Sequence, residues 1–162
     1  MIFVTTGSQT CQFNRLLEKL DELVEKGAIT EKMFAQIGYS DYKPKHYEYA
    51  QFMNRDEFAE KTAECGTFIT HGGTGAIIGA VKQGKKVVAV PRLAKYGEHV
   101  DDHQVQLLTQ FDDLNLISAC YEMDDLEKCL NELPNRKFNE YQSNTKTIID
   151  DIEGWILGQL NQ

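Results

Sequence analysis

The 162-residue chain lacks most of what would place it across a membrane, outside the cell or on a nucleic acid. No window approaches the roughly 18 consecutive apolar residues of a membrane-spanning helix. The opening MIFVTTGSQ has no basic leader and no long apolar region, so no signal peptide is expected. Cations are scarce: 17 Lys and Arg stand against 25 Asp and Glu, a net charge of −8. A phosphate backbone demands a basic face, so this balance argues against nucleic acid as a partner, although a local basic patch is compatible with it. Cys11, Cys65, Cys120 and Cys129 form no Cys-x-x-Cys pair. Reduced, partly buried thiols are expected rather than a disulfide framework or a metal site. There is no internal repeat, low-complexity tract, linker or Asp-x-Asp motif. What remains is a cytoplasmic globular protein that would meet a membrane only peripherally or through a partner.

The length suits one domain with a real core, spanning 1–162, with C-terminal helices from about 123 to 160. Short apolar runs alternate with helical patterns. Residues 1–6, 32–38, 46–52, 66–70, 86–90 and 114–118 read as strands. Phe13, Leu16, Leu17, Leu20, Leu23 and Val24 recur at helical spacing, and Gly27 is a natural stop. Asn54 reads as a helix cap, with Asp56 and Glu57 where the helix dipole favours acids. Further helices are expected at 74–83, about 98–111, near 124–133 and at 138–160. Continuous apolar strands alternating with helices predict an α/β fold, a single Rossmann-like doubly wound parallel sheet. Ligands in such folds sit beyond the carboxyl ends of the strands.

Three polar clusters fall at those ends. TTGSQT (5–10) follows the first strand; Gly7 permits a tight turn, and Ser8, Gln9 and Thr10 add donors beside a helix N-terminus. A polar loop that merely caps the helix is the alternative. THGGTGAIIG (70–79) places His71, Gly72, Gly73, Thr74 and Gly75 where a strand becomes a helix. The glycines let a ligand approach the backbone, Thr74 can cap or donate to phosphate, and His71 can donate to phosphate or act in acid–base chemistry. A structural histidine beside a flexible turn fits equally well. The spacing is neither a Walker loop nor G-x-G-x-x-G. PRLAKYGEHVDDHQ (91–104) gathers Arg92, Lys95, Glu98, His99, Asp101, Asp102, His103 and Gln104. His99 and His103 are four apart, but no H-E-x-x-H motif results. A solvated loop and a set of hydroxyl-binding groups for a polar ligand are both compatible with it.

Over about residues 1–118, and most specifically through HGGTGAIIGAVKQGKKVVAVPRLAKYGEHVDDHQVQLL, the chain resembles the donor-binding C-terminal domain of GT-B glycosyltransferases of the MurG type. It is most similar to stand-alone small subunits of split transferases, the ALG13 type of N-glycan assembly and the PssE and EpsF types of exopolysaccharide and capsule synthesis. The resemblance implies half of a GT-B fold, a UDP-sugar donor, no metal or other cofactor, and hexose transfer with inversion to a lipid-linked saccharide acceptor. It implies a membrane-anchored partner subunit of the ALG14 or PssD type that supplies the second domain, and a chain held at the inner membrane face through that partner. By this resemblance Gly7, Ser8, Gln9, His71, Gly72, Gly73 and Thr74 flank the diphosphate. Phe52 and Met53 fall where backbone reads uracil. His103 and Gln104, with Glu98 and His99 nearby, fall at the donor sugar. The family's ribose-binding glutamate is replaced by Gly79, which leaves room for a non-catalytic accessory subunit that stabilises or stimulates a catalytic partner. Sugar-nucleotide epimerases share the fold, but carry two such domains in one chain.

Overall fold

Hydrophobic patterning is resolved into a six-stranded, all-parallel sheet in a computed structural model that describes residues 1–160; the last two residues of the expected domain lie outside the described residues. The strands are β1 (Ile2–Thr5), β2 (Met33–Gln36), β3 (Glu48–Ala50), β4 (Thr67–His71), β5 (Lys86–Val90) and β6 (Ser118–Ala119). The helices are α1 (Asn14–Glu25), α2 (Arg55–Glu64), α3 (Thr74–Lys82), α4 (His103–Asp113), α5 (Leu126–Glu132) and α6 (Thr145–Leu160). Strand order is β3-β2-β1-β4-β5-β6, the doubly wound Rossmann order. The order reverses between β1 and β4, where Thr5 faces Thr70 across the pair.

Strand pleating sends alternate side chains to opposite faces. Ile2 and Val4 join α1 and α5 in one buried cluster with Leu16, Leu17, Leu20 and Leu126. Phe3 points the other way, into a cluster with Phe68, Ile77, Ala80 and Leu108 from β4, α3 and α4. There its ring packs edge-on against Phe68 at 5.5 Å and Phe58 at 5.1 Å between centroids. Each fully buried side chain of this size contributes about 1.5–3 kcal/mol, so both faces hold the sheet.

Four boundaries differ from the sequence expectation, each for a local reason. β6 is not 114–118. Asn115 takes a left-handed φ of 52°, and the Leu116 amide returns to the Phe111 carbonyl, so Leu114 and Asn115 close α4 while Leu116 and Ile117 enter the core. α4 begins at His103 rather than 98, because 98–102 hold loop contacts described below. α6 begins at Thr145 rather than 138. Asn139 bonds through backbone and side chain to Asn115 and Leu114, which keeps the preceding segment extended. β3 is cut to three residues, since the Lys45 and His46 amides turn to the buried Asp21 carboxylate at 2.9 and 2.8 Å.

Candidate functional site

Gly7 and His71 lie just beyond β1 and at the end of β4, on either side of the reversal point. Between them opens a cavity of about 520 Å³, lined by Thr5, Gly7, Ser8, Gln9, Gln36, Met53, Asn54, Arg55, Phe58, His71, Gly73, Gly75 and Ala76. Both glycine turns therefore reach one space. Of the residues expected at the diphosphate, Gly7, Ser8, Gln9, His71 and Gly73 line it; Gly72 and Thr74 do not.

The glycines serve the protein as well as any ligand. A Cβ on Gly7 would stand 2.5 Å from His71 Cε1, and one on Gly73 would stand 2.3 Å from His71 Nε2. The imidazole is thus wedged between the two turns. A Cβ on Gly72 would meet Gln104 at 2.6 Å, whereas Gly75 has nothing within 4 Å and alone leaves its backbone open. His71 is 8% exposed, and its Nδ1 lies 3.2 Å from Thr70 Oγ1. Burial, then the nearby Arg92 charge, lowers its pKa from 6.5 to about 4. It is neutral at pH 7, with one ring N–H and no cationic charge.

That shift fixes a pH dependence. Between pH 6.5 and about 4 the unfolded chain binds a proton that the folded chain refuses. The resulting stability is complete above pH 6.5 and lost as pH falls through this window, by about 3 kcal/mol. Urea unfolding at pH 7.5 and 4.5 should show a drop that His71→Gln reduces by about that amount. Equal drops in the two proteins would remove His71 from this account.

The 91–104 segment is a brace for the two turns. Gln104 Oε1 accepts from the Gly72 amide at 2.9 Å and the Arg92 amide at 3.0 Å. The Arg92 guanidinium, fully buried, donates to the carbonyls of Thr6 and Cys11 in the first loop; its Nε and Nη1 are buried without a partner among the described residues. Glu98, also fully buried, takes Arg15 Nε and Nη2 at 2.9 Å each and the Leu93 amide at 3.0 Å. Asp102 accepts from Ala94 at 2.8 Å, and Asp101 from His103 at 3.0 Å. Of the expected sugar contacts, Glu98 is inside the fold and Gln104 has committed its oxygen. His99 is tied to Asp101 at 3.0 Å, and His103 is exposed at the start of α4. None of the four lines the cavity.

At the other end of the cavity, Phe52 packs on Tyr39 with centroids 5.1 Å apart and leaves the lining to Phe58. The Met53 amide, one of the groups expected to read a base, already donates to Gln36 Oε1 at 3.1 Å. Gln36 also donates to Thr5 Oγ1, which accepts from the Gly7 amide. Gln36, Arg55 and Phe58 are site residues that sequence reasoning missed. The available signal for Gln36 was a polar residue ending an otherwise apolar strand.

The two helix N-termini beside the cavity differ. Asn54 and Glu57 close α2 with a reciprocal capping box. α3 starts from Gly73 with no side-chain cap, and Gly75 and Ala76 of its first turn line the cavity. Its orphan amides and positive dipole end face the space between the turns.

A family model, the glycosyltransferase family 28 C-terminal domain, matches residues 1–153. The chain belongs to that family. No curated protein sequence matches the family 28 domain described here. Among solved structures it is similar to the glycotransferase of kitacinnamycin, with a TM-score of 0.62 and 18% identity over 83% of this chain and 35% of that one. It is also similar to MurG of Acinetobacter baumannii, at 0.58 and 18% over 86% and 41%, and to the solution structure of ALG13, at 0.59 and 15% over 93% of both chains. The domain thus spans about a third of the first of these and nearly all of the last.

In the family 28 domain Gly79 lies one helical turn beyond Gly75 on α3, exposed, with nothing within 4 Å of a Cβ there. Space for a longer side chain is present but unused. Among the described residues no three His, Cys, Asp or Glu side chains cluster as metal ligands, and no helix is long and apolar enough to cross a membrane.

Proposed function

We propose that this family 28 domain is the UDP-sugar-binding subunit of a two-component glycosyltransferase. It transfers a hexose to a lipid-linked saccharide in exopolysaccharide or capsule synthesis. The observation that carries the reading is the uncapped N-terminus of α3, open on a carboxylate-free cavity at the point where strand order reverses. Departure of UDP develops negative charge on the diphosphate. The first-turn amides of α3 and the neutral His71 stabilise it as fixed donors in a partly dry site. Ser8 and Gln9, exposed on the facing loop, complete the contacts. The sugar is assigned to His99, His103 and the amide nitrogen of Gln104, and the base edge to the Met53 carbonyl. No step of this scheme uses a metal.

The partner subunit supplies the second Rossmann domain, the membrane anchor and the base that deprotonates the acceptor hydroxyl, and it keeps this chain at the inner membrane face. One observation supports a partner: α6 exposes Ile148, Ile149, Ile152, Trp155 and Ile156, a stripe about a third of a turn wide with nothing packed on it. A second reading, a non-catalytic accessory subunit, is favoured by Gly79.

Calorimetry of UDP against the isolated chain separates the two: heat of binding is expected, and its absence at millimolar UDP favours the accessory reading. Co-expression with a candidate large subunit, followed by a donor screen on membranes, should give transfer only from the complex. Transfer by the large subunit alone would end the catalytic assignment.

A further inference from the structure

The cavity between the glycine turns carries an electrostatic imbalance that the residues assigned so far do not explain. No carboxylate lines it, and the sole lining side chain with a formal charge at neutral pH is Arg55. His71 is neutral there. The rest of the molecule is acidic, with a net charge of −8 that repels an approaching anion. Arg55 is also poorly placed for the helix it begins. It is the first residue of α2, where the positive dipole end disfavours a cation, and the two residues after it are the expected acids. It forms no ion pair among the described residues, and of the two first-turn acids, Asp56 and Glu57, Glu57 is spent on the capping box. Neither helix stability nor a salt bridge accounts for a guanidinium here. A ligand with negative charge does.

We infer that Arg55 is a donor-binding residue, whose guanidinium pairs with the diphosphate from the α2 side of the cavity. The inference rests on the proposed UDP-sugar site and deepens it: the ligand class is a nucleoside diphosphate, held by one fork of charge on α2 and by backbone amides on α3. A planar guanidinium can engage two phosphate oxygens at once.

The test is calorimetric titration of UDP, uridine and inorganic pyrophosphate into the wild-type chain, Arg55→Gln and Arg55→Lys, at low and high salt. Arg55→Gln should weaken UDP and pyrophosphate roughly ten- to hundredfold, leave uridine unchanged and flatten the salt dependence. Arg55→Lys should fall between. Thermal stability should not drop, because the side chain is exposed and its removal relieves the dipole. If wild type and Arg55→Gln bind UDP equally, with the same salt response, the inference fails while the UDP site stands. If Arg55→Gln weakens uridine as much as UDP, Arg55 does not act through charge and the inference fails. If the wild type binds neither UDP nor pyrophosphate, the donor reading falls and takes the inference with it.

Discussion

Glu98→Ala is expected to lower the unfolding free energy by about 3–5 kcal/mol, the range for removing one partner of a buried ion pair. Both carboxylate oxygens are used, one on Arg15 Nε and the other on Arg15 Nη2 and the Leu93 amide, and the side chain has no exposure. Truncation leaves the Arg15 guanidinium with the Pro91 carbonyl and the Tyr96 and Phe13 faces, and leaves the Leu93 amide without its acceptor. Glu98→Gln should cost less, since it keeps an acceptor for Leu93 while losing the charge. Denaturant unfolding at pH 7 measures both. The same proteins, titrated with UDP and with UDP-sugars, test the other role for Glu98. A residue that touched only the sugar would leave the unfolding midpoint in place and change the preference among donors. An unchanged midpoint would refute the brace.

Gly73→Ala is the second large effect. The backbone there is ordinary, with φ −77° and ψ 117°, so the added methyl is not opposed by conformation. It is opposed by His71, whose Nε2 and Cε1 would lie 2.3 and 2.8 Å away. Gly7 also flanks the ring, close enough that a Cβ there would stand 2.5 Å from the same Cε1, so the room to retreat is small. Overpacking of this kind costs about 1–3 kcal/mol. If the strain is released by moving the first turn of α3, UDP affinity should fall roughly five- to hundredfold. His71→Ala alone should weaken UDP as well, by removing a donor. In the double variant the two losses should not add, since shrinking the ring makes room for the methyl. Strict additivity would show that the turn and the histidine are independent.

Much of the fold was legible because its signals are local. Apolar runs of five residues, the leucines of α1, the Asn54 cap and the two strand-end glycine turns each declare themselves within a few positions. The reversal point, and with it the meeting of Gly7 and His71, follows from the doubly wound order. The site was legible in outline only. Its ambiguous part was 91–104, where polar residues suited to hydroxyl binding turned out to hold partners far away in sequence. Arg15 and Glu98 are 83 residues apart, and Arg92 and Thr6 are 86 apart. No spacing rule announces such pairs. The glycines misled in the same way: at 72 and 73 the missing side chains make room for Gln104 and His71. Arg55 was hidden by its neighbours, since a residue after a helix cap reads as helix and nothing more.

The shared acceptor on Gln104 has a practical consequence for anyone wishing to change the donor. One oxygen fastens the second turn to the loop after β5, and Arg92 in turn fastens that loop to the first turn. The rim of the cavity behaves as a single collar, and a randomised library over 91–104 would chiefly sample collapsed proteins. Ser8, Gln9, Arg55, Gly75 and Ala76 face the cavity and owe nothing to the collar, but they lie on the diphosphate side. On the sugar side, the exposed His103, whose backbone amide alone is tied to Asp101, is where specificity can be changed without first rebuilding the fold.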